Sequence, residues 1–130
     1  MSVGAHRFVV EPRELAIVRL GPSEAVPAWA RDAEEFVSIT RTRDEISIVC
    51  STEIVPDDVR AEAGWTALEL VGPFPFDQVG VLSSFVGPLA EAGISIFAIS
   101  TFDTDYVLVK TDRLEAAVRA VERAGHLRQP

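Results

Sequence analysis

Ile94–Val109 reads ISIFAISTFDTDYVLV, two apolar runs of strand length joined by a polar turn that carries Asp103 and Asp105. β-Branched and aromatic side chains suit a pleated, half-buried surface, so the stretch predicts a hairpin with two carboxylates at its tip. Ahead of it, Leu68–Val81 (LELVGPFPFDQVGV) predicts a strand, a turn at Gly72-Pro73 and a helix opening at Asp77. The two stretches together predict one wall and the front of a small-molecule pocket, and no catalytic machinery.

Working outward, the same order of elements occurs twice. Thr66–Val71 predicts a strand, Asp77–Ala92 a helix, and Ile94–Lys110 a strand pair. In the first half, Glu14–Leu20 predicts a strand and Ser23–Arg31 one or two helical turns interrupted at Pro27. Phe36–Arg41 and Glu45–Ser51 then form a hairpin around Thr42-Arg43-Asp44. Leu20-Gly21-Pro22 answers Val71-Gly72-Pro73, and Ile39-Thr40 with Asp44 answers Ile99-Ser100 with Asp105, offset by one residue. Before the first copy, Arg7–Val10 predicts one more strand, ended by Pro12, which cannot donate to a ladder.

The helix of the second copy carries Val79, Leu82, Phe85, Val86 and Leu89 at three- and four-residue steps, hence on one face. Pro88 deletes a backbone donor there, and a kink near Gly87 is expected. The last helix, Asp112–Ala124, shows Leu114, Ala117, Val118 and Val121 on one side, a capping-box pattern in Asp112 and Glu115, and a stop at Gly125. Strands with helices on one sheet face give an α+β fold, two ferredoxin-like βαββ units in tandem.

The chain has 130 residues and a formal charge of −8. Such a charge lacks the phosphate attraction that drives nucleic-acid binding and does not favour anionic lipid, so neither nucleic acid nor membrane is an expected partner. The single Cys50 lies in an apolar run and is expected to be buried and reduced. The opening residues carry no export pattern and no apolar run is long enough to span a bilayer, so a cytoplasmic protein is expected. Gly-x-Ser-x-Gly, His-Glu-x-x-His and Gly-x-x-x-x-Gly-Lys are all missing, and the two histidines, His6 and His126, stand near the ends. A non-enzymatic protein with no cofactor and no metal is the expectation.

Val71–Val109, and within it AGISIFAISTFDTDYVLV, resembles the ACT-domain proteins of the group that includes the CASTOR arginine sensors and the regulatory domains of aspartate kinases. The resemblance covers essentially the whole chain. It implies a degenerate ACT-like half over residues 1–64 and a well-formed ACT domain over residues 65–130. It also implies amino-acid binding, allosteric regulation and association into a homodimer or larger oligomer.

A free amino acid needs donors for its carboxylate and acceptors for its ammonium. Amides of the helix head around Phe76–Val79 are expected to supply the donors, and Asp103 and Asp105 the acceptors. Ser100 and Thr101 add hydroxyls; Phe74, Phe76 and Phe102 wall the site. Taken residue by residue, Asp103 and Asp105 also suit a simple turn and Asp77 a simple N-cap. In the pattern that the resemblance implies, the ligand is gripped by Gly72–Asp77 (Gly72, Pro73, Phe74, Phe76, Asp77, with Val79 beyond) and by Ser100, Thr101, Phe102 and Asp105. Asp105 is then the first choice for the ammonium, or for a guanidinium if the ligand is basic like arginine or lysine. Ile99 and Ser100 of a second copy, or Ile39 and Thr40, would complete the site. In the first half Arg41, Thr42 and Arg43 replace the aromatic-acidic turn, so that half is not expected to bind a ligand alone. The alternative is a dimerisation or partner-binding module whose pocket is vestigial.

Overall fold

The computed structural model describes residues 5–130, in the order β1 (Arg7–Val10), β2 (Leu15–Leu20), α1 (Ala28–Arg31), β3 (Val37–Arg41), β4 (Ile46–Ser51), β5 (Ala61–Leu70), α2 (Val81–Glu91), β6 (Ile96–Ser100), β7 (Asp105–Lys110), α3 (Leu114–Arg123) and β8 (Leu127–Arg128). Short 3-10 turns follow β4 and β7. The chain divides into two compact units, Arg13–Trp65, and Thr66–Pro130 together with the residues up to Pro12. β5 was expected to begin at Thr66; it begins five residues earlier and gives its two halves to the two units.

In Arg13–Trp65 the strand order is β3-β4-β2-β5, antiparallel throughout. Ile46, Ile48 and Cys50 alternate along β4 and meet Val18 and Ala30 in a small core. Burial pushes the Cys50 thiol up to about 11, so it packs as a small hydrophobe, not as a nucleophile. Pro27 does not interrupt a helix; as its N-cap it precedes the single turn of α1.

In the other unit the order is β6-β7-β5-β1-β8, with β1 antiparallel to β5 and parallel to β8. The first strand therefore joins this sheet, although it precedes the other unit in the chain. α2 and α3 cover one face: Phe8, Leu68, Leu70, Val107 and Val109 from alternate strand positions meet Val81, Phe85, Leu89, Ala117 and Val121. This is a ferredoxin-like β5-α2-β6-β7-α3-β8 unit with β1 lying between β5 and β8. The β2-α1-β3-β4 order of the other unit repeats its first four elements.

Two helix starts differ from expectation. α2 opens at Val81, not Asp77, because Pro75 first starts a turn (Gln78 N–H to Pro75 O, 3.1 Å) and Gly80 then takes φ +85°. A side chain is strained at that φ, so Gly80 redirects the chain into the helix, and Asp77 caps nothing. Val79, expected on the helix face, lies outside it and is 84% exposed. At α3 the capping box does not form: Asp112 lies in the 3-10 turn Thr111–Arg113, and Arg113 precedes the helix without a side-chain cap. Gly125 does end α3, at φ +105°, where the His126 N–H reaches Val121 O at 3.1 Å.

α2 runs through Pro88 to Glu91. Proline lacks the N–H that would bond the carbonyl four residues back, Ser84 O. His126 Nε2 lies 2.9 Å from that carbonyl and takes the missing donor's place.

Candidate functional site

The Thr101–Thr104 turn between β6 and β7 is held by its own threonines. Thr101 N–H donates to Thr104 O at 2.8 Å, and the Thr101 hydroxyl donates to the same carbonyl at 3.1 Å. The Thr104 hydroxyl donates to Leu70 O at 2.6 Å, tying the turn to the end of β5. The loop after β5 lies against this turn: Phe74 N–H donates to Asp103 O at 2.7 Å. Gly72 permits the approach, since a Cβ there would stand 2.9 Å from Asp103 O. The peptide bond between Gly72 and Pro73 is cis.

A cavity of about 560 Å³ opens between this turn and the start of α2. Of the residues expected at the site, Phe74, Phe76, Ser100, Thr101, Phe102, Asp103 and Asp105 line it. Phe76 and Phe102, each 77% exposed, form an edge-to-face pair at 4.7 Å on its lip. The Ser100 hydroxyl donates to Asp105 Oδ1 across the last rung of the hairpin. That bond orients the carboxylate and leaves its second oxygen for another donor.

Five of the expected residues stand elsewhere. Asp77 and Val79 do not line the cavity, for the reason given by Pro75 and Gly80. Gly72 and Pro73 line a second hollow of about 410 Å³, with Val9, Glu69, Tyr106 and Gln129. Ile99 is turned to the opposite sheet face from Ser100, as the two-residue period requires, while Ile96 on the Ser100 side packs against the helices.

Sequence reasoning missed Gln78, Gly80, Val81, Leu82, Ser83, Val86 and Thr104, all of which line the cavity. The donors expected at Phe76–Val79 belong instead to the first turn of α2. Ser84 N–H makes the first helical bond, to Gly80 O at 3.0 Å, so the amides of Val81, Leu82 and Ser83 have no carbonyl within the helix. Gly80 offers no capping side chain and the first turn carries no acid. The helix start that carries the partial positive charge of these amides and the residues Asp103 and Asp105 line one cavity, a complement to a zwitterion. A glycine two residues after Asp77-Gln78 was the available signal for this later start.

The corresponding place in Arg13–Trp65 is built differently. Arg41, where Thr101 stands in the repeat, donates from Nη1 to Pro22 O at 2.9 Å and Glu24 O at 3.3 Å. Glu24 Oε2 accepts from Gly21 N–H at 2.6 Å. The loop after β2 is thus held by the chain's own guanidinium and carboxylate.

Glu69 of the second hollow acts on Glu11, which is pushed up to about 7, by a hydrogen bond with Glu69 first, then by burial and the Glu69 charge. Burial, then the charges of Glu69 and Glu11, raises the Tyr106 hydroxyl. Among the described residues, no group of three or more His, Cys, Asp or Glu is placed to hold a metal ion, and no helix is long and apolar enough to cross a membrane.

A family model described as the ACT domain matches residues 60–123, and a second, described as an N-terminal domain, matches residues 13–58. The chain is an ACT-domain protein. It belongs with the CASTOR-like group: the human cytosolic arginine sensor for mTORC1 subunit 1 is 31% identical over 96 residues, 68% of this chain. This ACT-domain protein spans only 29% of the length of that relative. Among solved structures, protein Atu0741 from Agrobacterium tumefaciens is similar at 43% identity and TM-score 0.91, over 98% of this chain and 94% of that one. The regulatory subunit of aspartate kinase from Thermus flavus shares the fold at 16% identity and TM-score 0.62, over 94% and 99% of the two chains.

Proposed function

We propose that this ACT-domain protein is an amino-acid-binding regulatory module without catalytic activity of its own. The observation that carries the reading is the cavity between α2 and the β6–β7 turn, lined both by Val81, Leu82 and Ser83 of a helix start without a side-chain cap and by Asp103 and Asp105. The ligand carboxylate lies against the amides of Val81, Leu82 and Ser83, and its ammonium or basic side chain against Asp105. Similarity to a protein named as an arginine sensor makes arginine the first ligand to test. Association with a second copy belongs to the same reading, with Ile99 on the sheet face turned away from the cavity. The signal is the difference in affinity between two assembly states, since a ligand shifts an equilibrium only by that difference.

Titration calorimetry with L-arginine tests the site. Asp105→Asn keeps the shape and removes the charge, and should weaken binding by about tenfold or more, the loss of a charge-assisted bond, with little change in stability of the free protein. Unchanged affinity removes Asp105 from the site. The competing reading, a partner-binding platform, is favoured by the exposure of Phe76, Val79 and Phe102. It requires that no amino acid binds the purified chain.

A further inference from the structure

Two histidines connect the interior of α2 to the cavity wall. His126 is 3% exposed and stacks on Phe85 at 3.9 Å with its ring tilted by 16°. A carbonyl only accepts, so at 2.9 Å from Ser84 O the His126 Nε2 carries the hydrogen. The His6 backbone N–H only donates, so at 3.1 Å from it the His126 Nδ1 is the acceptor. One uncharged tautomer satisfies both bonds.

His6 is held in turn by Leu127 N–H, which donates to its carbonyl at 3.0 Å. Its ring meets Phe74 edge-on at 5.4 Å and lies 5.9 Å from the His126 ring. Phe74 lines the cavity. The contacts therefore run without a gap from the carbonyl orphaned by Pro88, through His126 and His6, to the Phe74 ring.

A second proton on His126 would set an N–H against the His6 N–H. A second proton on His6 would place charge beside His126 in a site where His6 Nε2 is already buried without a hydrogen-bond partner among the described residues. Among the described residues, the rings that meet His6 are Phe85 from α2, Phe74 from the loop before it and His126 from the segment after α3, and His126 is the one whose charge bears on it. Burial first, then the proximity of His126, holds the His6 imidazole below its ordinary value.

We propose that His126 and His6 are positioning residues which together hold the Phe74 wall of the cavity only while the His6 ring is uncharged, so that ligand binding weakens as the solution is acidified. The binding half of this statement rests on the cavity being the amino-acid site.

The test combines histidine side-chain NMR with L-arginine calorimetry on the intact protein and on His6→Gln, at about pH 7.5 and about pH 5.5. The expected result is an Nε2–H tautomer for His126 at the higher pH and an arginine affinity that falls at least about threefold on acidification, with a smaller fall in His6→Gln. The Phe74 ring resonances should follow the His6 titration in the parent protein and not in His6→Gln, a readout independent of ligand. His126→Gln, which keeps a donor to Ser84 O but leaves no ring beside His6, should likewise change how the Phe74 resonances depend on pH. A charged or Nδ1–H His126 at the higher pH overturns the proposal, as do Phe74 resonances with the same pH dependence in the parent protein and His6→Gln. If arginine binds at neither pH, the functional reading fails while the tautomer and the Phe74 resonances still decide this one.

Discussion

Gly72 and Glu11 show how much of this unit is fixed by single atoms. A methyl on Gly72 would press on Asp103 O at 2.9 Å, and neither partner is a flexible side chain. Gly72→Ala should therefore destabilise the protein by about 1–3 kcal/mol, the range for overpacking, as measured by urea unfolding. Glu11 acts through its proton. Its folded value of about 7 lies above the ordinary 4.5, so the folded state binds the extra proton between these values. Stability from this group is gained as pH falls through 7 and lost as pH rises through it. Glu11→Gln should flatten that dependence and raise the melting temperature at alkaline pH relative to the parent. His6 works in the opposite sense. Its lowered value means that its contribution is present above the ordinary 6.5 and lost as pH falls. Melting temperatures of Glu11→Gln and His6→Gln across pH separate the two contributions.

At the scale of elements, the β6–β7 hairpin and the repeat were legible because they rest on period and turn chemistry. Both runs around Asp103 and Asp105 became paired strands, with Ser100 opposite Asp105. The start of α2 was not legible from caps, since Asp77 stood where an N-cap would and the chain instead used a left-handed Gly80. That one displacement moved the free helix amides from Phe76–Val79, where they were expected, to Val81–Ser83. The role of His126 was hidden too: its partners, the Ser84 carbonyl orphaned by Pro88 and the His6 amide, are 42 and 120 residues away. The contrast between the two copies also belongs at this scale. Arg41 holds the loop after β2 through two carbonyls, so Arg41→Ala should speed amide exchange across that loop. Global stability should change by less than about 1–2 kcal/mol, because these hydrogen bonds are exposed. Unchanged exchange there would mean that the guanidinium does not hold the loop.

For the molecule as a whole, sequence alone was sufficient for the α+β class and the ACT resemblance, which the family model over residues 60–123 bears out. It was not sufficient to place the first strand. Arg7–Val10 is separated from β2 by a short break, yet pairs with Leu68–Leu70 some 60 residues on. Strand partners so distant leave no local mark. The proposed function places a free amino acid in the cavity at the head of α2. Thermal unfolding of the purified protein against each proteinogenic amino acid in turn tests it most directly. At about 100 times its dissociation constant a ligand adds roughly 2.7 kcal/mol, on the order of ten degrees for a chain of this size. Such a rise is expected with one or a few amino acids, arginine first among them, with a smaller rise in Asp105→Asn. A midpoint that no amino acid moves by more than about a degree would contradict it.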